Sequence, residues 1–389
     1  MARGGGRHYS ALVSTDVSAT NTPVGFLELS HVHEGLREAI LADVAALIDS
    51  NAYTNGPAVA EFEAAFAGYC NVAHCVGVGS GLDALRLGLI AGGLEPGDEV
   101  LVPANTFIAT VEAVTQAGAV PVFVDASETD WNIDVAAAED AISERTRVVM
   151  PVHLYGQLAD MRALLGLGER HGLRVFEDAA QAHGGTRDGL VAGSSGFAGA
   201  FSFYPGKNLG AMGDAGALVT NDPALADSVR KLREHGQASK YRHELEGFTS
   251  RLDTIQATVL LRKLPLLDEW NEARRAAAAV YSEELAGVGD LRLPPVPDGS
   301  DPVWHLYVIR TADPERLAEF LRERGIGTGR HYPQPPHLSP AYERLGYAPG
   351  AFPVAEALAH EGLSLPIFPG ISEAQLAAVV AAVGAYFRG

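Results

Sequence analysis

Between residues 74 and 221, short apolar runs alternate with stretches that have helical spacing. The apolar runs are rich in Val and Phe, as buried strands are, and they cover residues 74–80, 99–105, 119–125, 147–154, 174–178, 198–204 and 215–221. This alternation of strands and helices predicts a mainly parallel, mixed sheet that helices cover on both faces. Sheets of this kind bind ligands beyond the carboxyl ends of their strands.

A second, smaller unit follows this region. Residues 252–285 have a helical pattern with a bend at Pro265, and residues 291–302 form a loop rich in Pro, Gly and Asp. A chain of 389 residues is too long for one small core. We therefore predict an α/β fold with a flexible arm at 1–24, a large domain at 25–265 and a smaller C-terminal α/β domain at 266–389.

The overall charge limits the partners of this chain. The formal net charge is −19 and the isoelectric point is about 5.0. Such a surface repels nucleic acids and anionic membranes, so neither is an expected partner. No apolar stretch reaches the ~18 residues of a membrane span, and residues 1–24 have no apolar core of a signal peptide. Cys70 and Cys75 are too few for a disulfide framework, so we expect reduced cysteines, a cytoplasmic location and no metal site.

Lys207 is unusual among the lysines of this chain. The three others, Lys231, Lys240 and Lys263, belong to the charged run 230–263, where we expect a solvated face. Lys207 instead lies among aromatic residues and glycines in the sequence AFSFYPGKNLG. An amine in such a pocket loses hydration, and its pKa falls toward neutrality. This is what a lysine needs to form a Schiff base with an aldehyde cofactor.

Two carboxylates end the predicted strand 174–178. Glu177 and Asp178 alternate in direction along a strand, so only one of them can face a site. A carboxylate that pairs with a pyridinium nitrogen, together with a Schiff-base lysine, is the minimum set for pyridoxal phosphate (PLP) chemistry. The alternative is a pair of helix-capping or surface acids, which their position after a buried strand disfavours.

A glycine turn joins a strand to a helix at residues 76–85. Its sequence VGVGSGLDAL places Ser80, Gly81 and Leu82 at the start of the helix, where backbone amides attract an anion such as a cofactor phosphate. The dinucleotide pattern G-x-G-x-x-G fails, because its third glycine would fall at Leu82. A plain tight turn explains the glycines equally well.

Three other residues have weaker signals. Phe107 follows the strand ending at Asn105 and could stack on a flat cofactor, although such a ring is more often in the core. Ser202 lies near Lys207 and could bind phosphate, whereas His183 is more often a satisfied core residue than a catalyst.

Taken together, these segments resemble the DegT/DnrJ/StrS family of sugar aminotransferases, within the aspartate aminotransferase fold type I. The resemblance covers residues 25–389 and rests on many motifs. They are YTNGP at 53–57, GDEV at 97–100, PANTFIAT at 103–110, VHLYGQ at 152–157, EDAAQAHG at 177–184, SFYPGKNLG at 202–210, SRLD at 250–253 and HYP at 331–333.

The resemblance implies PLP as the cofactor and a role for each matching residue. Lys207 would form the Schiff base and shuttle a proton, and Asp178 would pair with the pyridine nitrogen. Gln181 would lie near the cofactor hydroxyl, and Phe107 would stack on the ring. The phosphate would be held by Ser80, Gly81, Leu82 and Ser202.

Members of this family are homodimers with shared active sites. Thr249 would therefore reach the partner's cofactor phosphate, although relatives usually carry Asn there and a hydroxyl has a shorter reach. His331 and Tyr332 would contact the substrate. Arg330 replaces an apolar residue of many relatives; it could bind a diphosphate or the carboxylate of the amino donor, or it could be a surface arginine.

The implied reaction transfers the amino group of L-glutamate to a nucleotide-linked keto-deoxysugar. We predict a dTDP-4-keto-6-deoxyhexose, because a ketone at carbon 4 needs no prior isomerisation, with carbon 3 as the close alternative. Two further alternatives are a PLP-dependent sugar dehydratase, which would carry His in place of Lys207, and a non-catalytic regulator of the same fold.

Overall fold

The structure is a computed structural model that describes residues 23–389. The predicted arm at 1–24 therefore lies almost wholly outside the described residues. The helices are α1 Arg37–Ser50, α2 Pro57–Tyr69, α3 Gly81–Ala91, α4 Ile108–Gln116, α5 Val135–Asp140, α6 Met161–His171, α7 Pro223–Arg233, α8 Thr254–Lys263, α9 Leu267–Glu284, α10 Pro314–Arg322, α11 Pro353–Glu361 and α12 Glu373–Arg388. The strands are β1 His74–Val78, β2 Glu99–Pro103, β3 Val120–Val124, β4 Thr146–Val149, β5 Arg174–Asp178, β6 Thr186–Arg187, β7 Leu190–Val191, β8 Ala198–Ser202, β9 Gly216–Thr220, β10 Gln237–Ser239, β11 Arg242–His243, β12 Ser300–Asp301, β13 Tyr307–Arg310 and β14 Gly362–Leu365.

Seven strands form the central sheet in the order β1-β9-β8-β5-β4-β2-β3. All neighbours are parallel except β9, which runs antiparallel to both β1 and β8. Parallel neighbours need a long crossover connection, whereas β8 returns to its antiparallel neighbour β9 through the loop 203–215, which contains no helix and carries Lys207. The predicted mainly parallel, mixed sheet is thus confirmed.

Helices bury both faces of this sheet. One apolar cluster packs α3, α4 and α7 against the sheet, and a second packs α2 and α8 against the other side. Phe66 lies at the centre of the second cluster, with its ring edge-to-face against Phe201 and Phe203 at 5.0 and 5.1 Å between centroids. Cys70 and Cys75 are free and buried in the same cluster. The strands read as continuous apolar runs because both of their faces are covered.

The C-terminal domain is built on the antiparallel pair β13 and β14 with α9, α10 and α12. Val24 is fully buried in this core and pairs with Ile326. The predicted flexible arm therefore should not include Val24, because an apolar side chain buried in a core has a fixed position. Helix α9 joins the domains: Leu267 packs in the large domain and Tyr281 in the small one.

None of the helices within residues 23–389 has an apolar stretch long enough to cross a bilayer. In the same residues, no cluster of His, Cys, Asp and Glu has the arrangement of a metal site.

Candidate active site of an aminotransferase

Lys207 lies in a cleft at the carboxyl ends of the parallel strands. Its backbone N–H donates to the carbonyl of Tyr204 at 2.8 Å, which shapes the loop after β8. The side chain is only partly accessible, and among residues 23–389 its amine has no hydrogen-bond partner. Burial lowers the pKa of Lys207 to about 8, and the charge of Asp178 acts in the opposite direction. An amine of this kind is largely protonated at neutral pH but has a reactive neutral fraction.

Asp178 is the carboxylate that faces Lys207. It ends β5 and is 4% exposed, and its Oδ2 accepts a hydrogen bond from Thr110 at 2.8 Å. The backbone N–H of Ala180 donates to its Oδ1 at 3.2 Å. Burial raises the pKa of Asp178, whereas these hydrogen bonds and the charge of Lys207 oppose the rise. The carboxylate keeps free acceptor capacity for one more partner in the cleft.

Glu177, its neighbour in sequence, points to the opposite side of the strand. Its carboxylate is fully buried and accepts from Nε2 of His153 at 2.9 Å. Backbone N–H groups of Gly193, Ser195 and Gly196 donate to it at 2.8, 2.8 and 2.6 Å. Four donors satisfy this carboxylate, so it stabilises the fold and takes no part in the cleft.

Helix α3 presents its N-terminus to the same cleft. Ser80 caps the helix, with its Oγ accepting from the N–H of Asp83 at 3.1 Å. The N–H groups of Gly81 and Leu82 have no acceptor among residues 23–389, so they remain available to an anion. Ser202 packs against this turn: a Cβ at Gly81 would lie 2.6 Å from the Cβ of Ser202. The turn, the helix start and the end of β8 thus form one cradle.

An aromatic and amide wall closes the other side. Gln181 accepts from the N–H of Tyr155 at 2.7 Å and donates to the hydroxyl of Tyr332 at 3.1 Å. The Tyr332 ring lies 5.1 Å from that of Phe107, which is 49% exposed. His331 precedes Tyr332 in the same segment, and its Nδ1 lies 2.8 Å from the hydroxyl of Ser364. The structure therefore brings Gln181, Phe107, His331 and Tyr332 together around Lys207 and Asp178.

Two residues of the predicted set lie apart. Arg330 pairs with Glu315 and donates to the carbonyls of Ala359 and His360 at 2.6 and 2.9 Å. The guanidinium of Arg330 thus links the start of α10 to the end of α11. These contacts favour a surface arginine over a residue that binds a ligand. The exposed hydroxyl of Thr249 lies 3.0 Å from Nε2 of His235 and does not reach the cleft of its own protomer.

A model of a protein family matches residues 34–384, and its description is DegT/DnrJ/EryC1/StrS aminotransferase family. The chain belongs to this family. A dTDP-3-amino-3,4,6-trideoxy-alpha-D-glucose transaminase of Streptomyces venezuelae is 49% identical, over 94% of this chain and 97% of the relative. The erythromycin biosynthesis sensory transduction protein EryC1 of Saccharopolyspora erythraea is also 49% identical, over 93% of this chain and 99% of the relative. The crystal structure of DesV from S. venezuelae superimposes with a TM-score of 0.92 at 48% identity, covering 94% of this chain and 99% of that one.

Solved structures of similar chains contain PLP or its amine form, and this family member is a PLP-dependent sugar aminotransferase. Its site fits the cofactor on three observations within residues 23–389: an unpaired, partly accessible amine at Lys207, a buried carboxylate at Asp178 and free amides at the start of α3. When bound, PLP supplies an electron sink for the carbanion left after proton removal.

The histidines of the cleft remain neutral beside Lys207. Burial lowers the pKa of His183 to about 3 and that of His331 to about 4, and the charge of Lys207 acts in the same direction. His183 donates from Nε2 to the carbonyl of Ser202 at 2.9 Å, and its buried Nδ1 has no hydrogen-bond partner among residues 23–389. The pKa of His305 is also well below its ordinary value, because of burial first and the positive charge of Lys207 second. Since these rings are uncharged at neutral pH, they add no positive charge to that of Lys207 in the cleft.

Lys263 contradicts one prediction from sequence. It is 1% exposed, and its Nζ donates to the carbonyl of Gly210 at 2.7 Å. The assignment of Lys263 to a solvated face is wrong, because α8 turns this side chain toward the inner side of the Lys207 loop. Thr110 could not be identified as a site residue from the sequence. A threonine in the first turn of a helix gives no indication of the carboxylate that it contacts, which here is Asp178.

Proposed function

We propose that this aminotransferase converts a dTDP-3-keto-6-deoxyhexose to the 3-amino sugar, with L-glutamate as the amino donor. The observation that carries the proposal is the pairing of a partly accessible lysine of lowered pKa with a buried carboxylate in one cleft. Lys207 and Asp178 interact electrostatically, and the first has no other partner within residues 23–389. This is the pair that amino transfer with PLP requires.

We favour a substrate with its ketone at carbon 3. The sequence had led us to predict a ketone at carbon 4, with carbon 3 as the alternative. The S. venezuelae relative is named for an amino group at carbon 3, and relatives in Micromonospora megalomicea and Aneurinibacillus thermoaerophilus are named likewise. Since the ketone and the new amine occupy the same carbon, the names support a 3-keto substrate. A 38% identical relative is named GDP-perosamine synthase, so the nucleotide and the carbon both need a direct test.

Each residue of the cleft has a proposed role. Lys207 holds the cofactor and then moves a proton at its Nζ, for which a pKa of about 8 is well suited. Asp178 pairs with the ring nitrogen, while Gln181 and Phe107 orient the ring. Ser80, Gly81, Leu82 and Ser202 bind the phosphate. His331 and Tyr332 contact the sugar nucleotide.

We also propose a homodimer in which Thr249 completes the partner's phosphate site. Support comes from apolar side chains that one protomer leaves exposed on α1 and α8: Leu41 is 53%, Ile48 55% and Ile255 40% exposed. Thr249 is itself exposed, and its hydroxyl lies 3.0 Å from Nε2 of His235. Sedimentation equilibrium at micromolar concentration should give twice the chain mass of 40.9 kDa; a monomer that is fully active would contradict the shared site.

The substrate is tested by incubating the purified enzyme with L-glutamate and either the 3-keto or the 4-keto dTDP-6-deoxyhexose. We expect amine formation at carbon 3, located by two-dimensional NMR, and an equal yield of 2-oxoglutarate. Exclusive amination of the 4-keto compound would contradict the proposed carbon, while the aminotransferase assignment would stand. An amine without 2-oxoglutarate would contradict glutamate as the donor.

A second candidate is a regulator without catalysis, because EryC1 is named a sensory transduction protein. The presence of Lys207 favours the enzyme, since a regulator has no need of a lysine with lowered pKa. An absorbance band near ~400 nm that borohydride removes is expected of a lysine bound to PLP. Its absence from PLP-saturated protein would favour the regulator.

A further inference from the structure

Tyr155 links the large domain to the C-terminal domain at the edge of the cleft. It lies in the connection between β4 and α6 and is 7% exposed. Its hydroxyl donates to the carbonyl of His331 at 2.7 Å, and its carbonyl accepts from the N–H of Leu306 at 3.3 Å. Both partners belong to the C-terminal domain. Leu306 immediately precedes β13, and the segment with His331 is held by β14, where Gly329 pairs with Ser364.

The backbone of Tyr155 makes a second contact on the cofactor side of the cleft. Its N–H donates to Oε1 of Gln181 at 2.7 Å, and Nε2 of Gln181 donates to the hydroxyl of Tyr332 at 3.1 Å. The backbone of Tyr155 has a φ of 62° and a ψ of 4°, which is uncommon for a bulky residue. Strain of this kind persists where surrounding contacts hold it, and it is concentrated at functional sites.

Gly156 allows the two domains to approach closely beside Tyr155. Its φ is 97°, and a Cβ there would lie 2.8 and 2.9 Å from the backbone nitrogens of His305 and Trp304. The carbonyl of Gly156 also accepts from the N–H of Val303 at 2.9 Å. Because backbone meets backbone at this point, the position of the Tyr155 ring relative to the C-terminal domain is fixed.

The hydroxyl of Tyr155 is the donor in its contact with His331. A carbonyl oxygen can only accept, so the hydrogen lies on the phenol oxygen. Burial raises the pKa of Tyr155 above its ordinary value, and the phenol therefore stays protonated at neutral pH. The link between the domains is present under the conditions of an ordinary assay.

We propose that Tyr155 is a positioning residue for the sugar half of the reaction: its hydroxyl holds the segment of His331 and Tyr332 in place against Gln181. The inference rests on the proposed function, in which His331 and Tyr332 contact the sugar nucleotide and Gln181 orients the cofactor. Tyr155 acts through these residues and does not itself touch the substrate. Loss of its hydroxyl should therefore weaken sugar binding and leave the reaction with L-glutamate unchanged.

Tyr155→Phe removes the hydroxyl but keeps the ring and the N–H that binds Gln181. Tyr281→Phe is the matched control. The hydroxyl of Tyr281 also donates to a backbone carbonyl at 2.7 Å, that of Pro366, but it lies within the core of the C-terminal domain. Both variants thus lose one buried hydrogen bond of the same kind, and only the first loses it between the domains.

Hydrogen–deuterium exchange of the full chain loaded with PLP measures how firmly the segment is held. The peptide to follow covers residues 326–334. We expect its exchange to be about five- to tenfold faster in Tyr155→Phe, as the loss of one hydrogen bond predicts. In Tyr281→Phe it should stay within about twofold of wild type.

The two half-reactions supply a second measurement. L-Glutamate converts bound PLP to the amine form, which absorbance follows, and the amine form then reacts with the proposed dTDP-3-keto-6-deoxyhexose. In Tyr155→Phe, we expect the sugar concentration that gives half the maximal rate to rise about tenfold, with the rate of the glutamate half-reaction within about twofold of wild type. Tyr281→Phe should change neither quantity.

Exchange of residues 326–334 in Tyr155→Phe within about twofold of wild type would overturn the proposal. An equal fall of both half-reactions would also overturn it, because the hydroxyl would then only support the fold. The exchange measurement needs neither sugar nor turnover. An enzyme inactive on the proposed sugar would therefore contradict the proposed function, while exchange would still decide whether Tyr155 holds the segment.

Discussion

The loop after β8 and the end of α8 each bury one lysine, and the two lysines behave differently. Lys207 and Lys263 both have a pKa of about 8, and in both the main cause is burial. Lys207 faces a cleft and a carboxylate, whereas Lys263 is sealed and donates to the carbonyl of Gly210 at 2.7 Å. A lowered pKa therefore needs only burial, but reactivity also needs access and a correctly placed acid.

The two lysines also support one another. Gly210 ends the segment that carries Lys207, so Lys263 holds the far end of that loop from the inner side. The inner lysine, Lys263, thus stabilises the loop, whereas we propose a chemical role for the outer one, Lys207. Substitutions at the two lysines and at the acid beside Lys207 test this difference.

The largest effect is expected from Lys207→Ala. The variant loses the cleft amine that we propose as the proton carrier, and general acid–base catalysis alone contributes about 10²–10⁴-fold. We expect kcat to fall by at least about 10³-fold with the melting temperature maintained or raised, because a buried charge is removed. Steady-state kinetics and calorimetry measure both; a variant with wild-type turnover would refute the catalytic assignment.

Asp178→Asn should have the next largest effect. The amide keeps an acceptor for Thr110 but removes the negative charge beside Lys207. A hydrogen bond to a charged partner contributes about 1.5–3 kcal/mol, so we expect kcat/KM to fall by about 10²-fold. Glu177→Gln is the matched control. It should lower the free energy of unfolding and leave kcat close to wild type. The opposite pattern would exchange the roles of the two carboxylates.

Thr110→Val should have a smaller effect with a distinct pH signature. The Thr110 hydroxyl stabilises the charged form of Asp178, so its loss raises the pKa of Asp178 further above the ordinary value. The carboxylate then becomes protonated at a higher pH on acidification. We expect the acid limb of the kcat/KM profile to move up by about one unit. An unmoved limb would show that Ala180 alone suffices to hold the carboxylate charged.

Lys263→Met tests the inner lysine through stability. The folded pKa of about 8 lies below the ordinary value of 10.5. Between these values the unfolded chain binds more protons, so the free energy of unfolding of wild type rises with pH across this window, by about 3 kcal/mol in total. Lys263→Met should lose this rise while kcat stays close to wild type.

Urea denaturation at pH 7.5 and 9.5 compares the variant with wild type and with Lys240→Met, which alters an exposed lysine. An equal rise in all three proteins would mean that folding does not lower the pKa of Lys263. Lys207 contributes a similar rise in each of them, so only the difference between proteins is informative.

The sequence predicted those parts of the site that reside in local patterns. Strand–helix alternation gave the sheet, and the setting of Lys207 and the position of Asp178 after an apolar strand indicated PLP chemistry. Lys263 could not be placed, because the charged run that contains it has no signal for which face of α8 is buried. Arg330 could not be placed either, since its partners Glu315 and Ala359 come from two other helices.

Local order along the chain, set by side-chain period and turn residues, was sufficient to determine the strands, the helix start at the phosphate cradle and the lysine of the cleft. Tertiary packing alone decided which lysine faces the cleft and which of two adjacent acids keeps free acceptor capacity there. The physical reason is that burial and hydrogen-bond partners determine charge, and both come from residues distant in sequence, such as Thr110 for Asp178 and Gly210 for Lys263.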